Sequence, residues 1–232
     1  MRHTAFAALG LLLLGLQPPI AAQNVSLDEG AFRISVNGAP RGREEFSIRR
    51  SGLGDQSRVV LRATIEREGP SGRESLSTVM SSAGSGLEVQ EYQSRLTGPG
   101  ATEINVVRSG ARYVARVLSP EGEQVREFRA GPGSVLLDQD IAHHHFLLTP
   151  FLDSGSTVSL TVLSPRANRQ LRMTFSFLGE EDVVVAGQPV RARRFRLEGE
   201  DAAREIWFDD QARILRVHVP DTGFLAERES VS

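Results

Sequence analysis

Cysteine does not occur in the 232 residues. Its absence excludes disulfides, thiol nucleophiles, thiolate metal sites, iron–sulfur clusters and a lipid anchor carried on a cysteine. A chain of this size buries roughly 70% of its unfolded surface on folding, so it needs no such staple. Lysine is missing too, and all 27 basic residues are arginine. Abundant alanine, glycine and valine go with a coding bias toward GC-rich codons, which explains the arginines without a recognition role. Against 29 acidic residues the formal charge is −2, with none of the basic excess that nucleic-acid binding requires. No nucleic-acid partner is expected. No G-x-S-x-G elbow, phosphate-binding loop or dinucleotide glycine pattern is present. No fixed-period repeat and no low-complexity linker divide the chain.

Long hydrophobic runs are also scarce. The one at the N-terminus, Ala5 to Leu16, is about a dozen residues, short of the roughly 20 that span a bilayer. Arg2 precedes it, Pro18-Pro19 break it, and Ile20-Ala21-Ala22 offers small residues to a signal peptidase. This is the layout of a secretory signal peptide over residues 1–22, cleaved near Ala22. The expectation is an exported protein, periplasmic or extracellular, with no integral membrane span after cleavage and a single β domain over 23–232.

What the rest of the chain does contain is alternation of period two. Phe32, Ile34 and Val36 alternate with polar residues before an Asn37-Gly38 turn. Phe46 and Ile48 follow, then Val59, Leu61, Ala63 and Ile65. The pattern recurs to Ile214–Val219, cut by Gly, Pro, Asn and Asp clusters. About a dozen short half-buried strands joined by tight turns predict an all-β fold, an antiparallel curved sheet or half-barrel. One segment breaks the pattern. Asp138 or Asp140 can cap a helix from about Asp140 to Thr149, and Ile141, Phe146, Leu147, Leu148, Phe151 and Leu152 are apolar enough to pack on the sheet or plug it. Trp207 is expected half-buried, with Phe175, Phe177 and Phe195 in the core.

That segment carries His143-His144-His145, the most chemically pointed feature of the sequence. Adjacent histidines on a helix diverge by about 100°, so three cannot meet at one ion. Asp140 with His144, or His143 with His145, would supply two ligands where a tight site needs three or four. The candidate metal set is therefore Asp140, His143, His144 and His145, and the residue-level alternative is packing at the seam between helix and sheet. Arg191, Arg193, Arg194 and Arg196 crowd one strand around Phe195. An anionic headgroup or cross-strand carboxylates at Glu198, Glu200 and Glu205 would each account for them.

From Glu180 to Arg228 the layout is more distinctive: Val183-Val184-Val185, a turn at Ala186-Gly187, the arginine strand, Ile206-Trp207-Phe208-Asp209, Ile214 to Val217, then Gly223-Phe224. This resembles a group of uncharacterised exported bacterial proteins catalogued as domains of unknown function. These are similar in style to periplasmic lipoprotein carriers, in which a curved sheet holds acyl chains under a helical lid. The resemblance implies a carrier-like fold and brings no catalytic residues.

Three functions follow as expectations. The first is a binding or carrier protein for an apolar or amphipathic ligand, lipid included, contacted by Ile141, His144, His145, Leu148, Phe151, Arg193, Phe195 and Trp207. The second is an envelope scaffold or protein-interaction module without a small ligand. The third is a metal-dependent enzyme on the histidine triplet. The balance leans away from an enzyme, with no catalytic residue assigned and no cofactor.

Overall fold

The structure, a computed structural model, describes residues 24–69, 71–155 and 157–231. The expected signal peptide lies outside the described residues. Among the described residues fifteen strands form one sheet. The first eight are β1 (Val25–Val36), β2 (Ala39–Ser51), β3 (Arg58–Gly69), β4 (Gly72–Ala83), β5 (Glu88–Thr97), β6 (Thr102–Ser109), β7 (Arg112–Ser119) and β8 (Gly122–Arg129). The remainder are β9 (Ser134–Leu136), β10 (Val158–Ser164), β11 (Arg169–Val185), β12 (Gln188–Gly199), β13 (Arg204–Phe208), β14 (Ile214–Val219) and β15 (Phe224–Arg228). Two-residue turns set the registers of several hairpins. At the first, Val36 pairs with Ala39 across Asn37 and Gly38, whose φ values of 51 and 77 suit the asparagine–glycine pair.

The strand order runs β8-β7-β6-β5-β4-β3-β2-β1-β15-β14-β13-β12-β11-β10-β9. Each strand thus lies beside its sequence neighbours, with two exceptions. The first strand pairs with the last, Phe32 to Arg228 through Val36 to Phe224, which joins the two halves. And β8 and β9, consecutive in the chain, are the two edges. Only residues 130–133 connect them, so the sheet must curl until its edges approach. Across that seam Gln170 imitates a strand, accepting from the Arg129 N–H at 3.2 Å and donating to the Arg129 carbonyl at 2.6 Å. The result is an open, curved, barrel-like antiparallel sheet. Its one parallel pair, β9 with β10, needs a crossover, and residues 137–157 supply it.

The crossover is the plug. A 3₁₀ helix spans His143–Phe151, three residues later at its start than the sequence suggests and tighter than an α-helix. Its bonds run three residues back, as from the His145 N–H to the Ala142 carbonyl at 3.1 Å. Pro150, inside the last turn, has no N–H to extend an α pattern. Ile141, Ala142, Leu147 and Leu148 are fully buried around its circumference, because the segment lies inside the roll and touches β3 on one wall and β14 on the other.

Two bulges turn faces over. Gln90 is the extra residue in β5, so Val89 and Tyr92, of opposite parity, are both buried inward. Leu178 is the extra residue in β11. Beyond it Val183 and Val185 point outward, where with Ala192, Trp207 and Leu215 they form a second small core on the outer face. This corrects two expectations. Trp207 is buried, 4% exposed, with Arg194 and Arg216 stacked on its ring and Glu181 accepting from its Nε1–H. Phe177, last inward residue before the bulge, is 54% exposed at the rim, while Phe175 and Phe195 are in the core as expected.

Candidate functional site: an aromatic cleft beside a buried polar anchor

The interior polar groups are organised around the plug. Glu44 on β2 is fully buried, and its carboxylate accepts from the Ala142 N–H at 2.9 Å, the His143 N–H at 2.8 Å and His143 Nδ1–H at 2.8 Å. It thus satisfies orphan donors at the start of the 3₁₀ helix from across the roll. Asp138 performs a similar task before the helix. It accepts from Tyr92 Oη at 2.9 Å and from the Arg166 N–H at 3.0 Å. Its own N–H donates to His144 Nδ1 at 3.2 Å, which fixes His144 as the Nε2–H tautomer. His145 is the opposite tautomer, its Nδ1–H donating to the Ala142 carbonyl at 3.0 Å. The Nε2 atoms of both rings are buried and make no hydrogen bond.

The three rings therefore serve three separate backbone or carboxylate partners, and Asp140 is elsewhere, partly exposed near Arg67. Among the described residues no three His, Asp or Glu side chains are grouped to hold a metal ion. What the arrangement does is fasten the plug.

Burial also fixes its protonation. Desolvation first, then the Arg204 charge, brings His145 down to about 3, and desolvation with the neighbouring histidines holds His144 well below its usual value. Both rings are neutral in the native state. Their contribution is complete above pH 6.5, where the unfolded chain is neutral too, and is lost as the unfolded chain takes up protons below it. Lowering the pH from 7 to 5 should cost about 2 kcal/mol through His145, with His144 adding in the same direction. Urea midpoints at the two pH values check this. A midpoint that does not move would contradict it.

The plug's far end borders an aromatic cleft. Phe151, Leu152, Asp153, Gly155 and Thr157 face Phe175, Ser176, Phe177, Glu180, Arg193 and Phe195 across a cavity of about 580 Å³. Its floor is an aromatic ladder. Phe177 contacts Phe195 at 5.3 Å between ring centroids, Phe175 stacks on Phe195 at 4.9 Å, and Phe208 meets Phe195 edge-on at 5.9 Å. Exposure falls from 54% at Phe177 to 2% at Phe195 and none at Phe208, so the ladder leads from solvent into the core. Arg193 shares the inward face with Phe195, as strand parity requires, and its guanidinium lies 5.8 Å from that ring.

Of the residues singled out from sequence, Phe151, Arg193 and Phe195 meet in this cleft. Ile141 and His145 line a different pocket of about 70 Å³ with Arg204. His144 and Leu148 are sealed inside the plug, and Trp207 belongs to the outer core. The arginine strand finds carboxylates along its length: Arg191 with Glu180 and Asp182, Arg193 with Asp153, Arg194 with Glu181 and Glu205, Arg196 with Glu198. Sequence reasoning missed Glu44 and Phe177. Glu44 had a readable signal, since it falls on the inward parity of Phe46 and Ile48. Phe177 had none, because the bulge that brings it to the rim is a tertiary feature.

Comparison with other proteins agrees with the fold. Residues 156–229 match the model of a family described as a domain of unknown function, DUF6134, which bears out the resemblance in the C-terminal strands. No curated protein matches. Among solved structures the chain is similar to a beta-barrel-like protein of domain of unknown function DUF1849 from Brucella abortus. The identity is 8% and the TM-score 0.56, over 86% of this chain and 94% of that one. A DUF1089 family protein from Pseudomonas aeruginosa aligns at 11% identity and TM-score 0.48, over 77% of this chain and 90% of that one. Among the described residues no helix is long and apolar enough to cross a membrane.

Proposed function

We propose that this chain is an exported, non-enzymatic binding or carrier protein for an amphipathic ligand, whose apolar part lies in the cleft between Phe151 and the Phe175–Phe177–Phe195 ladder. The observation that carries the reading is the graded ladder itself. A phenylalanine more than half exposed at the head of a stack that descends into the core leaves apolar area for a ligand to cover. The N-terminal run Ala5 to Leu16 with Ala21-Ala22 supports export. The plug supports a rigid site, since Glu44 holds its start through the Ala142 and His143 N–H groups, Tyr92 holds it through Asp138, and Phe151 lines the cleft at its end.

Titration with the neutral fluorophore N-phenyl-1-naphthylamine tests the apolar half of this reading. Saturable binding is expected, weakened about tenfold or more in Phe177→Asp, which removes apolar contact area at the rim of the ladder. Binding that does not saturate, or that is the same in the variant, would count against the cleft.

A further inference from the structure

Arg193 occupies an unusual place for a charged residue. It projects from the inward face of β12, its side chain is 28% exposed, and it stands over the apolar floor of the cleft. Its partner is Asp153, bonded at 2.7 Å, in the turn that follows the plug, and that side chain is 88% exposed. An ion pair with one so exposed a member contributes little, because water solvates the carboxylate almost as well as the arginine does. Glu180, the other acid lining the cleft, is taken by Arg191, whose Nε and Nη2 bond one of its oxygens at 3.2 and 3.1 Å. Arg193 is therefore the charge in this cleft whose present partner is the most exposed.

From this we infer that the ligand is an anionic amphiphile, and that its carboxylate or phosphate headgroup takes Arg193 in exchange for Asp153 while its chain covers Phe177 and Phe195. The inference rests on the binding reading above and names the ligand class for it. The exchange conserves charge at Arg193: one carboxylate leaves to water and another anion arrives. The newcomer has an advantage Asp153 lacks, since it is tethered to an apolar chain whose burial contributes in the same event. Once Phe177 is covered, the pair lies in a drier site, where the guanidinium's planar donors bind an oxyanion more strongly than in open water.

The test uses the whole mature chain and two probes with one hydrocarbon skeleton, cis-parinaric acid and the corresponding alcohol, titrated at pH 8. The acid should bind about tenfold more tightly than the alcohol. In Arg193→Gln that ratio should fall to near one. In Asp153→Asn, with the competitor neutralised, the acid should bind about two- to fivefold more tightly than in the unaltered protein. Arg196→Gln, on the outer face and paired with Glu198, controls for a general charge effect and should keep the ratio. Displacement of the probe by decanoate or by dihexanoyl phosphatidate then tells a free carboxylate from a phosphate headgroup, and either result upholds the inference. Equal affinity for acid and alcohol in the unaltered protein would overturn the headgroup assignment and leave the apolar cleft standing. Failure of both probes to bind would overturn both.

Discussion

Glu44→Ala is expected to remove about 3–5 kcal/mol of stability, because three buried donors at the head of the plug lose their acceptor together. These are the Ala142 N–H, the His143 N–H and His143 Nδ1–H. Each donor orphaned away from water costs about 1–3 kcal/mol, and Glu44 is fully buried. For a domain of this size that loss lowers the melting temperature by roughly 10 °C or more. Glu44→Gln keeps an acceptor oxygen but points an N–H₂ at donors, so it should fall between the two. Calorimetric melting of the three proteins decides the matter. An alanine variant that melts within a degree or two of the parent would mean that Glu44 does not hold the plug.

The second large effect belongs to the closure between β1 and β15. Arg228 and Asp28 are both buried there and bonded twice, at 2.6 and 2.9 Å. The remaining donors of Arg228 reach the carbonyls of Ile214, Glu29 and Ser230. The guanidinium also lies over Phe46, and Gly30 leaves it room, since a β-carbon at that position would come within 3.2 Å of Nη2. Arg228→Met should cost about 3–5 kcal/mol, most of it from leaving Asp28 buried and unpaired. Adding Asp28→Leu should then recover a large part of the loss, because a buried pair replaced whole by apolar groups is often nearly neutral. Denaturant midpoints of the two single variants and the double variant test this. Simple additivity of the losses would contradict it.

These two sites also mark how much was legible in the sequence. The strands and their hairpins are local, and alternation with Asn-Gly or Gly-Pro punctuation exposes them: β3 and β12 are readable almost residue by residue, and β1 only over its second half, Phe32 to Val36. The closure is not local. Asp28 and Arg228 are 200 residues apart, and nothing near either one announces the other. Bulges are a second blind spot, because one extra residue, Gln90 or Leu178, reverses every inference drawn from parity beyond it. Beyond Leu178 that reversal turns Val183 and Val185 outward, where they help seal Trp207 into an outer core. The plug was visible as a break in the pattern and as a run of apolar residues, yet its histidines were more conspicuous as chemistry than as structure. Their partners, Glu44, the Asp138 N–H and the Ala142 carbonyl, come from outside the triplet and tie each ring to a different point. At the cleft, the shared face of Arg193 and Phe195 followed from strand period alone, whereas Phe151 and Asp153 reach it only because the crossover returns to β10 there.

The central claim is that the cleft holds an amphipathic ligand, and the most direct measurement is to look for one. The protein should be purified without delipidation, extracted with organic solvent, and the extract weighed against the protein by mass spectrometry. The account predicts an anionic amphiphile approaching one equivalent in the unaltered protein and markedly less in Phe177→Asp with Arg193→Gln. An extract with no amphiphile, or with the same amount from the double variant, would contradict it.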